Sequence, residues 1–155
     1  MYKVLVAILF IFGSYLSALS QACVDAAKEV SPQLPAATAK LYEANLAEAR
    51  GQEALTPDDP NALIWVGRRV AYTGKYKDAI AVFTRGIAKF PNDARFYRHR
   101  GHRYITLRCF DDAITDLEKA VKLIKGKQDE IEPDGLPNAL NITTSTLQTN
   151  IWYHL

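Results

Sequence analysis

A chain of 155 residues, 48 % apolar and 23 % charged, has the length of one domain and the make-up of an ordinary soluble fold. These totals exclude a collagen-like or low-complexity chain. The formal net charge of +2 points to no class of partner by itself.

Residues 1–20 read as a secretory signal peptide. A positive start ends at Lys3, an unbroken apolar run follows from Val4 to Phe12, and the small residues Ser17, Ala18 and Ser20 close the segment. The run is shorter than the roughly 20 apolar residues a membrane span needs. Cleavage after Ser20 would leave Gln21 first, and cleavage after Ala22 would leave Cys23 first. A cysteine just behind the apolar run also resembles the lipid attachment site of bacterial lipoproteins. That motif wants a leucine three residues ahead of the cysteine, and Leu19 is four ahead. A lipid anchor at Cys23 is therefore the lesser expectation beside simple export. Both place the mature protein outside the cytoplasm, as a periplasmic or secreted protein or, less favoured, an outer-envelope lipoprotein.

Past Ala22 the chain reads as helices and turns. A short helix from Ala22 to Val30 is broken by Ser31-Pro32 and Pro35. Ala36 to Leu55 is one helix, rich in the strong helix formers Ala, Leu and Glu. Four more are expected at Asn61–Tyr72, Lys77–Lys89, Ala94–Leu107 and Asp111–Ile124, the last with acids at its start and lysines near its end, as the helix dipole favours. Residues 126–144 carry the turn signals Pro133-Asp134-Gly135 and Pro137-Asn138, and are long for a connection inside a compact domain. Ser145 to Leu155 is helical again. Cys23 and Cys109 lack metal-type spacing and allow at most one disulfide. Whether they meet is not legible, and Cys109, in a predicted turn, reads as a free or incidental thiol.

The four central helices repeat at a spacing of 34 residues. Gly67 falls on Gly101, Tyr76 on Phe110, Ala79 on Ala113, Phe83 on Leu117 and Gly86 on Ala120. The pattern is a small residue midway along a first helix, then an aromatic, an alanine, a large apolar and a small residue along a second. The unit resembles the tetratricopeptide repeat, a pair of antiparallel helices, although the expected late proline is present only as Pro91 and the second unit has Lys125. A weaker echo puts Tyr42 and Pro57 one period before Tyr76 and Pro91. The resemblance implies an all-α fold of antiparallel helix hairpins in a short right-handed α-solenoid. Residues 21–59 would form an N-terminal helical capping segment, 60–93 and 94–127 two repeats, 128–144 a loop insertion and 145–155 the start of an incomplete third repeat, as in a truncated copy of a longer protein.

From Arg68 to Arg108, eleven Lys or Arg meet only Asp78 and Asp93, a net +9. Such a block steers anionic partners; it also forms ion pairs with the acidic flanks. In the resembled family the first helix of each unit lines the concave face. That places Asn61, Ile64, Arg68 and Tyr72, then Arg95, Arg98, His102 and Ile105, toward the groove. The expected partner-binding residues are Arg68, Tyr72, Arg95, Arg98 and His102. Arg68, Arg98 and His102 would converge on one anion, with Trp65 either beside them or in the core. Arg100 and Arg103 are assigned to other faces, paired with Asp111, Asp112 or Asp116. His99 and His102 read as surface residues and not metal ligands, because no third ligand is suitably spaced.

No activated nucleophile, paired carboxylate or glycine-rich phosphate loop stands out. The expectation is a non-enzyme with no cofactor and no metal: an exported scaffold that grips a protein or peptide segment, acidic in character. The alternatives are a non-catalytic helper region of a larger envelope complex and a binder of an anionic polymer. Nucleic acid is not expected, since export removes most such partners.

Overall fold

A computed structural model describes residues 22–132 and 145–155, of which about 72 % are helical and none lies in a strand. The expected signal peptide at 1–20 and the turn signals from Pro133 to Asn138 fall outside the described residues. After a helical turn at residues 22–26, the helices are α1 (Ala36–Leu55), α2 (Pro60–Tyr72), α3 (Tyr76–Lys89), α4 (Ala94–Thr106), α5 (Phe110–Ile124) and α6 (Leu147–His154). Each helix packs against the next, and α2 also meets α4 while α4 meets α6. No described helix is long and apolar enough to cross a membrane.

Local chemistry sets the helix ends. The Asp59 and Asp93 side chains accept hydrogen bonds from the backbone N–H of Asn61 at 2.9 Å and of Arg95 at 3.0 Å, capping α2 and α4. Pro60 takes the first position of α2, where no N–H is needed. Gly74 turns the chain out of α2 at a φ of 83°, and Arg108, its equivalent one repeat later, turns it out of α4 at 64°. Glycine adopts this left-handed conformation freely, whereas a side chain resists it. Arg108→Gly is therefore expected to raise stability by about 0.5–1 kcal/mol, seen as a higher urea midpoint. A lower midpoint would refute the strain account.

The small and large positions of the repeat meet between helices. A Cβ added at Gly67 on α2 would stand 2.4 Å from the Phe83 ring on α3. One added at Gly86 on α3 would stand 2.2 Å from the Phe96 ring on α4. In the second repeat Leu117 takes the part of Phe83, with its Cγ 3.1 Å from a Cβ built on Gly101. Phe83, Phe96 and Leu117 are fully buried. The periodic pattern thus reflects close-packed contacts in which a small residue on one helix receives a large one from its neighbour.

The chain before α1 is fastened across the helix turns. Cys23 is joined to Cys109 by a disulfide, so Cys109 is not the free thiol its place in a turn suggested. Val24 is buried beside Ile80, Tyr104 and Leu107. The Lys77 backbone N–H donates to the Glu29 carboxylate at 2.8 Å, and the Ser31 hydroxyl donates to the Gly74 carbonyl at 3.3 Å. One sulfur cannot carry both this bridge and a thioether to lipid, so the bridge displaces the lipid anchor at Cys23.

The described parts of the loop insertion close on themselves. The Glu132 N–H donates to the Ser145 carbonyl at 3.1 Å and the Leu147 N–H to the Glu130 carbonyl at 2.8 Å. These bonds tie the outgoing strap, residues 128–132, to the start of α6.

Candidate functional site

Much of the basic block is matched by acids nearby. Lys75 pairs with Glu43 at 3.8 Å and Arg85 with Glu53 at 2.6 Å, tying α3 to α1, while Lys89 pairs with Asp58 at 2.7 Å. Exposed pairs of this kind stabilise little, but they sort the cations. Arg68 on α2 and Arg98 and Arg103 on α4 gather round a cleft.

The cleft holds about 200 Å³ and is lined by Arg68, Ala71, Tyr72, Phe83, Arg98, His99, His102 and Arg103. Four of the five residues singled out from sequence are therefore brought together: Arg68, Tyr72, Arg98 and His102. Arg95 is placed elsewhere. It sits at the start of α4, where its guanidinium folds back on the capping Asp93, at 2.6 Å, and donates to Asn61 Oδ1 at 2.7 Å. Arg95 shares with Arg68 a separate recess of about 60 Å³ beneath the strap.

Rings position the guanidinium groups. Arg68 and Arg69 lie over the Trp65 ring, 4.3 and 4.8 Å from its centre, and Arg103 lies 5.7 Å from the centre of Tyr76. Stacking of this kind holds a planar cation while leaving its edge able to donate. Trp65 is accordingly a half-buried platform as well as part of the core. Burial comes first, and repulsion from the other arginines contributes, in holding the Arg98 and Arg103 pKa values below the ordinary one; arginine nevertheless stays charged.

Two residues of this region, Arg103 and His99, were misplaced by the sequence reading, and a third, Glu132, was not singled out by it. Arg103 lines the cleft, whereas only Arg100 turns to an acid, making a bidentate contact with Asp116 at 2.7 and 2.8 Å. His99 is buried, not a surface residue, with its ring stacked on Phe83 at 5.4 Å. Glu132, from the loop insertion, reaches into the basic side of the molecule. Its Oε2 lies 2.9 Å from Arg98 Nη2 and accepts from the Asn150 amide, and its Oε1 lies 3.4 Å from His99 Nε2. Arg103 was legible in principle. On a helix it lies about 140° from Arg98 with His99 and His102 on the arc between them, while Arg100 lies about 160° from Arg98 and outside that arc. Nothing in the sequence placed Glu132, since a long loop has no periodicity.

The histidines are neutral donors and acceptors here, not extra cations. Arg98 Nη1 lies 2.8 Å from His99 Nδ1, which makes that nitrogen the acceptor and leaves the proton on Nε2. Burial first, and then Arg98, pushes the His99 pKa well below its ordinary value. Burial and then Arg103 push His102 down to about 2. His154, whose ring centre is 4.3 Å from that of His102, is lowered as well, chiefly by burial. The unfolded chain takes up these protons below about pH 6.5 and the folded chain does not. Their contribution is therefore present above that pH and lost as the pH falls. His102 alone is expected to cost about 2 kcal/mol of stability between pH 7.5 and pH 5. Urea unfolding at the two pH values measures this, and His102→Gln should flatten the loss. An unchanged pH dependence in that variant would refute it.

No protein-family model matches the chain and no curated protein matches it, so its functional reading rests on the cleft itself.

Proposed function

We propose that this chain is an exported interaction scaffold of the tetratricopeptide-repeat type that grips an acidic peptide or protein segment along its cationic inner face. The observation that carries the reading is the gathering of Arg68, Arg98 and Arg103 with Tyr72 and His102 round one cleft. Guanidinium forks suit carboxylates, and an aromatic wall adds contact area at little entropic cost. The helix order supports the repeat reading: α2 meets α4 and α4 meets α6, as the first helices of successive units would. The disulfide supports export, because such bridges persist in oxidising compartments. The exposed apolar side chains Trp152 and Tyr153 at the end of α6, with Leu155 just beyond it, favour as a second reading a helper region within a larger envelope complex.

A fluorescein-labelled hexaglutamate peptide, with hexaglutamine as control, tests the first reading by fluorescence anisotropy. Arg68→Ala with Arg103→Ala is expected to weaken hexaglutamate binding about 10- to 100-fold, the worth of one or two charge-assisted hydrogen bonds. Equal affinity of the double variant and the wild type, or equal binding of both peptides, would overturn it.

A further inference from the structure

The strap carries three acids in five residues, Gln128 to Glu132, and its last side chain engages a cleft arginine. We propose that the strap is a built-in acidic occupant of one cleft arginine: from the recess beneath the strap Glu132 holds Arg98 in the place of a partner's carboxylate, and an acidic partner that enters the cleft binds by displacing it. This rests on the reading of the cleft as a site for acidic segments.

Three features argue for a displaceable contact. First, the fit is imperfect. Arg98 Nε and Glu132 Oε1 are both buried without a hydrogen-bond partner among the described residues. Arg100 and Asp116 show in the same molecule what a complete bidentate contact looks like, with two bonds at 2.7 and 2.8 Å. A carboxylate approaching Arg98 squarely would satisfy what Glu132 leaves unmet. Second, the strap lacks an apolar anchor at this point. Ile131, beside Glu132, is 69 % exposed. Third, its end is tied by few bonds. Beyond Asp129, which accepts from the Gln148 N–H at 3.0 Å, the described ties of the strap are two backbone bonds and the Glu132 side chain. Glu132 itself is buried, so it is not an ornamental surface pair. Partner and strap then compete for one guanidinium, and the apparent affinity falls by the fraction of molecules with the strap released.

The labelled hexaglutamate peptide tests this in two arms. Glu132→Gln is expected to bind it about tenfold more tightly than the wild type, as for a strap released about a tenth of the time. Glu130→Gln removes an equal charge from the same strap without touching Arg98, and should change affinity less than twofold. Hydrogen exchange on the wild-type protein needs no variant, and so stands even if Glu132→Gln folds poorly. Saturating peptide should speed exchange at the Glu132 and Leu147 amides, whose bonds tie the strap down. Equal affinities for Glu132→Gln and wild type, equal gains for Glu132→Gln and Glu130→Gln, or unchanged protection at those amides would each overturn the occupant. Binding that is abolished by the Arg68 and Arg103 substitutions yet indifferent to Glu132 would leave the cleft standing without it. Absence of binding by all forms would overturn both.

Discussion

Removing the Cys23–Cys109 bridge is expected to cost about 4 kcal/mol of stability, because it ties together residues far apart in the unfolded chain. The two cysteines are 86 residues apart, and cross-linking so long a loop takes more entropy from the unfolded ensemble than a short one would. On the folded side little else would change. The core between α2 and α5 is built from Phe83, Phe96, Leu117 and their glycine partners, none of which touches the bridge. Residues 22–32 would keep the burial of Val24 and the bonds of Glu29 and Ser31. The paired change Cys23→Ala and Cys109→Ala should therefore fold to the same helix content but unfold at a clearly lower urea concentration. Wild type with excess reductant should follow the same curve. Coincident curves for oxidised and bridge-free protein would show that the bridge closes a loop already closed by other contacts. The result also bears on location, since a protein that loses this much on reduction suits an oxidising compartment.

The helices were legible because their sequence determinants are local. Asp59-Pro60 and Asp93-Ala94 announce the starts of α2 and α4. Gly74 announces an end, and Arg108 does so only through its register one repeat later. The contacts of Gly67 with Phe83 and of Gly101 with Leu117 were legible through repetition: a position that stays small in two units is small for a shared packing reason. The cleft was half legible. Arg68 and His102 occupy equivalent positions of the repeat and Arg98 lies one turn before His102, so a helical face collects them. Arg95 obeys the same periodicity but starts its helix, and the capping Asp93 claims its guanidinium. The disulfide and Glu132 were not legible, for one reason. The bridge joins the single helical turn ahead of α1 to the turn between α4 and α5, Glu132 joins an irregular strap to α4, and segments so short or irregular carry no period from which a partner is read. The basic block illustrates the limit of charge counting. Its +9 is a property of the sequence, whereas the charge available at the cleft depends on Glu43, Glu53, Asp58, Asp116 and Glu132, all outside it.

Arg100→Met is expected to destabilise the protein by about 3 kcal/mol at pH 8, the cost of leaving Asp116 ionised and buried without its partner. The Arg100 and Asp116 side chains are both largely buried, and α4 and α5 fix them in place, so neither can swing to water as a loop acid can. Thr84, whose hydroxyl accepts from Arg100 Nη1 at 3.0 Å, would lose a partner too. Even in the intact pair, burial raises the Asp116 carboxyl pKa above its ordinary value, and the Arg100 fork only partly offsets this. Removing Arg100 must raise it further. A folded-state pKa above the unfolded one means that stability is retained at low pH and lost as the pH rises through the folded value. The variant should accordingly regain part of its deficit when Asp116 is protonated, between pH 8 and pH 5. The wild type, with its buried neutral histidines, should weaken over the same range. The paired change Arg100→Met with Asp116→Leu should restore most of the loss at every pH, since apolar replacements of a buried ion pair are often neutral or better. Urea midpoints of the three proteins at the two pH values decide the matter. If the deficit of Arg100→Met is the same at both, or the paired variant is no better than the single one, the aspartate is not held as a buried charge and the ion pair does not join α4 to α5 in the way its geometry implies.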